Sequence, residues 1–176
     1  MKVTVMGTGH VGLVTSVMFA SIGHEVVGTD IDDEKIELLR RGVPPFFEPG
    51  LEEGMARESA SGRLSFTTDA AEALRGTDVV FICVGTPARA SGDANLLAME
   101  QSAKVVAQHA PDDTVLVEKS TVPAGTADRV RTTLEREGGG RRFHVASNPE
   151  FLREGSAVHD CLNPDRIVIG SDDQSA

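Results

Sequence analysis

Nine consecutive residues near the carboxyl end of the chain combine two acids, an arginine and a proline in a pattern that suggests chemistry. Residues 148–156 read Asn-Pro-Glu-Phe-Leu-Arg-Glu-Gly-Ser, so Glu150 and Glu154 lie four positions apart behind a proline. Carboxylates contribute little to packing, but beside a reacting hydroxyl a carboxylate can take up a proton, directly or through an ordered water. The segment therefore predicts one wall of an active site at the open end of a sheet.

A second set of suggestive residues lies near the amino terminus. Gly7, Gly9 and Gly12 form a Gly-x-Gly-x-x-Gly pattern between a strand-like run and an apolar helix, the context in which this pattern binds dinucleotides. The first glycine permits a tight turn, the second lets the backbone approach a pyrophosphate, and the third lets helix pack on strand. The helix amides then offer partial positive charge to the phosphates. The alternative is a tight turn and a capped helix without a ligand.

An acid at the end of the second predicted strand indicates which dinucleotide would bind. Asp30 follows Gly12 by eighteen residues, where a carboxylate accepts hydrogen bonds from the adenosine ribose. Because an acid there repels a 2′-phosphate, the sequence favours NAD over NADP. Lys35, one turn into the next helix, either lies toward the adenine and ribose or is simply solvated.

Two later turns each place a threonine hydroxyl close to a proline. Thr86 directly precedes Pro87, and Thr121 lies two residues before Pro123. Both turns follow predicted strands, and open α/β sheets bind ligands at the carboxyl ends of their strands. We therefore predict that both threonines belong to a ligand site. The alternative for each is a hydroxyl that hydrogen-bonds its own turn.

Other polar residues near these motifs have plainer interpretations. Glu118 and Lys119 are adjacent at a strand end, and we expect them to pair or to face solvent. Cys83 lies in an apolar strand and is expected to be a small buried hydrophobe. Cys161 is a weaker candidate for a nucleophile. His10, inside the glycine loop, can reach the phosphates of a cofactor.

Strand-like and helical patterns alternate along the chain. This predicts an α/β fold in a single domain, a Rossmann-like doubly wound parallel sheet with helices on both faces. The predicted strands are residues 2–6, 25–30, 64–67, 78–84, 114–118, 143–146 and 166–170. The predicted helices are residues 11–22, 33–41, 50–59, 70–75, 96–109 and 125–137. Residues 170–176 are predicted to be a solvated tail.

The composition excludes several classes of function. A net charge of −10 argues against nucleic acid as the main partner, and no run of 18 apolar residues predicts a membrane span. Two cysteines do not suggest a disulfide framework or a metal site, so a reducing cytoplasm is favoured. Four lysines against thirteen arginines fit either a high-salt host or an ordinary acidic surface.

Taken in order along nearly the whole chain, these residues resemble the UDP-glucose/GDP-mannose dehydrogenase family of nucleotide-sugar dehydrogenases. The landmarks that carry the resemblance are Gly7–Val14, Gly23–Gly28, Asp30–Asp32, Glu48–Leu51, Gly62–Leu64, Phe66–Asp69, Val84–Pro87, Lys119–Pro123, Ser147–Gly155 and Asn163–Arg166. So many ordered matches are more specific than any one of them. The sequence departs from the family at His10, where an aromatic residue is usual, and at Phe47, where a tyrosine is usual.

The resemblance implies a chemistry and a set of site residues. In the family the C6 alcohol of a nucleotide sugar is oxidised twice, to the carboxylate, with reduction of two NAD. UDP-glucose, which gives UDP-glucuronate, is the implied substrate, and GDP-mannose and UDP-N-acetylhexosamines are the alternatives. The implied cofactor residues are Gly7, Gly9, Val11, Gly12, Asp30, Lys35, Thr86, Thr121 and Glu154. The implied substrate residues are Phe151, Leu152, Arg153 and Glu154.

Glu150 and Thr121 are implied to be catalytic, because together they would position a water for proton transfer and hydrolysis. From the residues alone, the preferred interpretation of Glu150 is a helix-start carboxylate favoured by the helix dipole. The sequence contains neither the family's later cysteine nucleophile nor its central dimer helix and second domain. We therefore expect residues 1–176 to be the NAD-binding domain of a longer, homodimeric enzyme, inactive alone. A non-catalytic NAD-binding module is the alternative from another class.

Overall fold

One six-stranded parallel sheet organises the chain. A computed structural model describes residues 1–172, so residues 173–176 of the predicted tail lie outside the described part. The strands are β1 (Lys2–Met6), β2 (Glu25–Thr29), β3 (Leu64–Thr67), β4 (Val79–Ile82), β5 (Thr114–Glu118) and β6 (Phe143–Ser147). The helices are α1 (His10–Ser21), α2 (Asp33–Arg40), α3 (Leu51–Ala60), α4 (Ala70–Ala73), α5 (Leu97–His109), α6 (Thr126–Glu137) and α7 (Ala157–Leu162).

The order of the strands places a crevice beside the first of them. The sheet runs β3-β2-β1-β4-β5-β6, with every neighbouring pair parallel. The chain therefore leaves β1 toward β2 on one side and returns to β4 on the other. This reversal opens a crevice at the carboxyl ends of β1 and β4, where doubly wound sheets bind ligands.

Helices cover both faces of the sheet, which confirms the predicted fold class. On one face, α1, α2, α3 and α7 share a core with β1 to β3. On the other, α5 and α6 pack over β4 to β6 around Leu116, Val130 and Leu134. Gly54 lets α3 approach α1 closely, since a Cβ there would lie 2.8 Å from Cγ1 of Val17.

The seventh predicted strand is wrong. Residues 166–169 have no strand structure, and the segment meets the sheet only through an antiparallel bridge between Gly170 and Ser147 of β6. Ile167 and Ile169 are 69% and 68% exposed, so the apolar run that suggested a strand is not satisfied by burial. Helix α7 was not predicted, because six residues are too few to display a helical period.

Most other predicted boundaries agree with the structure to within a residue or two. The largest differences are β4, which is shorter than predicted at both ends, and α4, which ends at Ala73. Within residues 1–172, no helix combines the length and the apolar character needed to cross a membrane.

Candidate functional site

The glycine loop between β1 and α1 has the geometry that its sequence predicts. Gly7 adopts φ +93°, and a Cβ there would lie 2.7 Å from the carbonyl oxygen of Cys83. A Cβ on Gly12 would lie 1.9 Å from the carbonyl oxygen of Gly7. Gly9, in contrast, has no atom within 4 Å of its Cβ direction. Two glycines are therefore required by packing, and the third leaves open space beside the loop.

The amino end of α1 faces that open space. The first bond of the helix runs from the amide of Leu13 to the carbonyl of Gly9, so the amides of residues 10–12 have no partner within the helix. The first turn carries no acidic side chain, and Gly9 provides no side-chain cap. Free amides and the positive end of the helix dipole suit a phosphate. The loop thus fits the pyrophosphate of a dinucleotide.

Asp30 is tied to the loop before any ligand binds. Its Oδ2 accepts hydrogen bonds from the amide and hydroxyl of Thr8 at 2.8 and 2.9 Å and from Lys35 Nζ at 2.9 Å. Burial alone would raise the pKa of Asp30, but these donors outweigh burial and hold the pKa below its usual value. Asp30 is therefore ionised. Among residues 1–172 its Oδ1 accepts only the amide of Asp32, at 3.2 Å, which leaves a lone pair for a ribose hydroxyl.

The two threonine turns meet at the same edge of the sheet. Thr86 Oγ1 donates a hydrogen bond to the carbonyl of Thr121 at 2.7 Å, so it bonds the neighbouring turn rather than its own. Ser120 Oγ donates to the carbonyl of Val84 at 2.7 Å and further ties the turns together. Within residues 1–172 the hydroxyl of Thr121 makes no hydrogen bond, and the residue is exposed.

Glu118 and Lys119 neither pair with each other nor both face solvent, so that expectation is wrong. Because successive strand residues point to opposite faces, the two side chains diverge. Lys119 Nζ donates to Asn148 Oδ1 at 3.1 Å. Glu118 is 2% exposed, accepts a hydrogen bond from Ser147 Oγ at 3.0 Å, and has one buried oxygen without a partner. Burial, with a smaller contribution from Asp128, raises its pKa.

The first part of the segment, residues 148–153, lines a cavity of about 680 Å³. Glu150, Phe151, Leu152 and Arg153 all contribute to its wall, together with Lys119. Glu150 Oε2 accepts the amide of Leu152 at 2.6 Å. Since the next helix begins only at Ala157, Glu150 is not a helix-start carboxylate.

Several of the predicted side chains are not brought together. Within the described residues, no hydrogen bond joins Thr121 to Glu150, and Glu154 is exposed and does not line the cavity. Arg153 is engaged elsewhere, because its guanidinium binds both carboxylate oxygens of Asp160 at 2.7 and 3.0 Å. The proximity of the catalytic pair and of Glu154 to a nicotinamide stays a prediction.

Neither cysteine has the character of a nucleophile. Burial raises the pKa of Cys83 to about 12, and burial also raises the pKa of Cys161. A thiol must ionise to attack, so both are expected to stay protonated at neutral pH. Cys83 packs with the core beneath α1, as its apolar surroundings predicted.

Two contacts of the site were missed from the sequence. Thr8 was not singled out, although it provides two of the donors to Asp30. Glu48 appeared only as a landmark of the resemblance, yet its buried carboxylate accepts His10 Nε2 at 2.9 Å. His10 therefore contacts an acid rather than only facing phosphates. The one available signal was an acid in an otherwise apolar and proline-rich turn.

The fold and the loop define a dinucleotide-binding domain of the dehydrogenase type. The model of the UDP-glucose/GDP-mannose dehydrogenase family, NAD binding domain, matches residues 1–176, and the chain belongs to this family. The cofactor prediction, NAD, is confirmed by this match.

Related proteins and solved structures agree with that assignment. A UDP-glucose 6-dehydrogenase of Bacillus subtilis (YwqF) is 50% identical over 175 residues, which cover 99% of this chain and 40% of the relative. A UDP-glucose dehydrogenase structure from Pyrobaculum islandicum matches 98% of the chain and 41% of its own length, with a TM-score of 0.94 and 48% identity.

A GDP-mannose dehydrogenase structure from Pseudomonas aeruginosa matches with the same TM-score, 0.94, at 38% identity, covering 98% of this chain and 41% of that one. The chain thus spans about 40% of the length of the relatives that it matches. The family consists of NAD-dependent nucleotide-sugar dehydrogenases, and the match lies in their cofactor domain.

Proposed function

We propose that this chain is the cofactor domain of an NAD-dependent UDP-glucose 6-dehydrogenase, which oxidises the C6 alcohol of the sugar twice, to the carboxylate of UDP-glucuronate. The observation that carries the proposal is the convergence of two sites at one edge of the sheet. The glycine loop with Asp30 is preformed for a dinucleotide, and the cavity bearing Glu150 lies at the ends of β5 and β6.

The cofactor site is proposed to follow the predicted set. Gly7, Gly9, Val11 and Gly12 would hold the pyrophosphate, with Asp30 and Lys35 at the ribose. Thr86, Thr121 and Glu154 would lie toward the nicotinamide. Bound there, NAD would accept a hydride from the alcohol carbon. The free amides of the loop and the open lone pair of Asp30 support this assignment.

Glu150 and Thr121 are proposed to handle the proton. Glu150 has one carboxylate oxygen held by the amide of Leu152, and its other oxygen has no hydrogen-bond partner within residues 1–172. The hydroxyl of Thr121 is similarly free. A water between such groups can pass a proton from the alcohol to the carboxylate, the usual form of general base catalysis through one water. Substrate binding at this step would bring the two residues to one water.

The sugar nucleotide is proposed to occupy the cavity beside this pair. Phe151 and Leu152 offer apolar wall, and Arg153 and Lys119 offer positive charge. Acidic side chains, Glu150, Asp160 and Asp165, line the cavity as well. The guanidinium of Arg166 lies 4.8 Å from the ring centroid of Phe151 and adds a further cation. A cavity with apolar walls and several cations suits a phosphorylated ligand. Glu154 would have to turn inward from its exposed position to reach the ligand.

UDP-glucose is preferred over GDP-mannose on identity rather than on fold. The two solved structures superpose on this chain equally well, but the UDP-glucose enzyme shares 48% of its residues and the GDP-mannose enzyme 38%. UDP-N-acetyl-mannosamine dehydrogenases are more distant, with the Staphylococcus aureus protein at 27%.

The relatives' additional length is proposed to supply the remaining catalytic groups. A second domain and a dimer interface would complete the active site in a cytoplasmic homodimer, so the 176 residues alone would bind NAD without turning over. The exposed apolar side chains of Phe151, Leu162 and Ile167 around the cavity support a covering partner. A non-catalytic module would have no need of that open cavity.

The test is a calorimetric titration of the chain with NAD and with NADP, beside a turnover assay with UDP-glucose. We expect NAD to bind at least about tenfold more tightly than NADP, since a 2′-phosphate would meet the ionised Asp30. Asp30→Asn should reduce that preference, and Asp33→Asn, an exposed acid in α2, is the matched control. Tighter binding of NADP would contradict the cofactor assignment, and turnover by the chain alone would contradict the need for a second domain.

A further inference from the structure

Glu48 is the most completely enclosed acid beside the site. Its side chain is 0% exposed, and three hydrogen bonds satisfy its carboxylate. Oε1 accepts the amide of Ala157 at 2.8 Å, and Oε2 accepts the amide of Gly155 at 2.8 Å and His10 Nε2 at 2.9 Å. These donors belong to two distant parts of the chain, the phosphate loop and the end of the segment that carries Glu150.

The contact requires a carboxylate rather than a neutral side chain. Two oxygens that only accept hydrogen bonds match three converging donors, whereas an amide would aim its own N–H groups at one of them. Burial alone would raise the pKa of Glu48, but the bonds from His10, Gly155 and Ala157 outweigh burial and lower the pKa. A buried acid is tolerated only when it is paired in this way.

The segment on the far side of Glu48 is held at its two ends and, between them, by the bonds of Arg153 to Asp160. Residues 148–153 form no helix or strand. Asn148 fixes one end, since its amide donates to the carbonyl of Glu118 at 2.9 Å. Glu48 fixes the other end at Gly155 and Ala157. Glu150 and Glu154 lie between the bond at Asn148 and the bonds at Gly155 and Ala157, so the position of Glu48 sets where this stretch can lie.

Toward the phosphate loop, Glu48 makes its contact through the side chain of His10. His10 is the first residue of α1 and follows Gly9, whose open side faces the proposed pyrophosphate. The His10 ring also packs on Phe46, with centroids 4.9 Å apart. The turn that carries Glu48 therefore contacts His10 through both a ring and a hydrogen bond. A displacement of the loop therefore acts directly on Glu48.

We propose that Glu48 is a positioning residue that holds the segment bearing Glu150 and Glu154 in register with the phosphate loop, and that His10 links it to the loop. The inference rests on the proposed function, because it assigns to the loop a dinucleotide and to the segment the reacting end of that dinucleotide. Glu48 touches neither. It acts through the amides of Gly155 and Ala157.

The experiment compares how variants bind NADH, which spans the whole proposed cofactor site, and AMP, which occupies only its adenosine end. NADH reaches from Asp30 to the proposed nicotinamide end, whereas AMP reaches only the adenosine end, so a loss confined to NADH reports the position of the segment. In Glu48→Gln we expect the Kd for NADH to rise about tenfold and the Kd for AMP to stay within about twofold. Amide hydrogen exchange at Gly155 and Ala157 should accelerate about tenfold or more while exchange in β1 and β2 is unchanged.

His10→Phe is the matched variant, because it keeps a ring against Phe46 and leaves the two amides on Glu48. Exchange at Gly155 and Ala157 in the free protein should then stay normal, and the Kd for NADH should rise about threefold with the Kd for AMP unchanged. If Glu48→Gln does not fold, the ratio of the two dissociation constants in His10→Phe carries the test.

Three outcomes separate the possible failures. An unchanged ratio of NADH to AMP affinity in both variants would overturn the positioning role. An equal loss of both ligands, with faster exchange throughout β1 and β2, would overturn it as well, since it would show a general structural role. If the unaltered chain binds AMP but not NADH, the proposed function fails, while the exchange rates at Gly155 and Ala157 still decide whether Glu48 anchors the segment.

Discussion

The pKa values of buried acids are shifted in opposite directions in the two halves of the sheet. On the side of β1 to β3, Asp30, Glu48 and Glu58 each accept several hydrogen bonds, and the pKa of each is lowered although burial alone would raise it. On the side of β4 to β6, burial raises the pKa of Glu118, and one of its oxygens has no partner.

This difference distinguishes a half of the sheet whose buried charges are paired from a half in which the described residues leave a buried charge and apolar surface without full partners. In the first half, Asp30 and Glu48 connect segments that are distant in sequence, and Glu58 pairs with two nearby arginines, so the charges of all three acids are compensated. In the second half, the acid is an uncompensated charge, and apolar residues 167–169 beyond β6 are exposed. The nucleotide-binding half is closed, whereas the half that carries Glu150 presents surfaces that the described residues leave uncovered.

The largest expected effect tests how tightly the glycine loop packs against the first turn of α1. In Gly12→Ala the new Cβ would lie 1.9 Å from the carbonyl oxygen of Gly7, so loop and helix must separate. We expect a loss of about 3 kcal/mol or more in the free energy of unfolding, measured by urea denaturation, with loss of NADH binding. Gly9→Ala, which meets no atom within 4 Å, is the control and should change stability by less than about 1 kcal/mol. Equal losses in the two variants would show that the loop is not tightly packed.

The next effect concerns the acid that is held most strongly by charge. Glu58 is 1% exposed and accepts hydrogen bonds from Arg57 at 2.7 Å and from Arg63 at 2.7 and 2.9 Å. Glu58→Gln should lower the free energy of unfolding at pH 7 by about 1–2 kcal/mol, a moderate value because both arginines remain partly solvated. Glu37→Gln, which removes an exposed pair with Arg40, should cost less than about 0.5 kcal/mol.

The pH dependence of that difference has a definite sign. Because folding lowers the pKa of Glu58, its stabilisation is present above the pKa of the unfolded chain and is lost as pH falls through the lower folded value. The gap between Glu58→Gln and the unaltered chain should therefore close in acid. A gap that widens as pH falls would contradict the assigned direction.

Glu118 should behave in the opposite way. Because folding raises its pKa, its contribution is most favourable below the pKa of the unfolded chain and is lost as pH rises through the folded value. Glu118→Gln should therefore stabilise the chain at pH 8, by about 1 kcal/mol, and make little difference near pH 4. Urea denaturation at the two pH values measures this. Glu135→Gln, at an exposed position in α6, should be neutral at both. Destabilisation at pH 8 would show that the charge of Glu118 is compensated after all.

The sequence predicted the closed half better than the open one, for physical reasons. The glycine pattern and Asp30 are local signals, since a turn and a strand end determine their geometry. Glu48 was missed because two of its three donors come from residues more than a hundred positions later in the chain, and no periodic pattern records such a contact. The same holds for Glu118, whose hydrogen bond comes from Ser147 in another strand.

In the open half, the strand predicted at residues 166–170 is wrong, because its apolar residues are not buried against the sheet. The apolar run of residues 167–169 predicts a strand, yet within residues 166–170 only Gly170 pairs with β6. Strand formation needs a partner along the whole edge and a face to bury, and the described residues provide neither. Residues 148–153 do follow β6 at the open end of the sheet and line the cavity, but the roles of Glu150 and Glu154 stay predictions.

The smallest expected effect probes that open edge directly. Ile169 is 68% exposed, so Ile169→Lys should change the free energy of unfolding by less than about 0.5 kcal/mol. Val145→Lys, in the buried part of β6, is the contrasting variant and should destabilise the chain severely, because it places an unpaired charge in the core. The exposed strip should also promote self-association at high concentration, and Ile169→Lys should weaken it in sedimentation velocity measurements. A loss of stability in Ile169→Lys above about 1 kcal/mol would mean that residues 167–169 pack as part of a closed core, and the contrast between the two halves would then disappear.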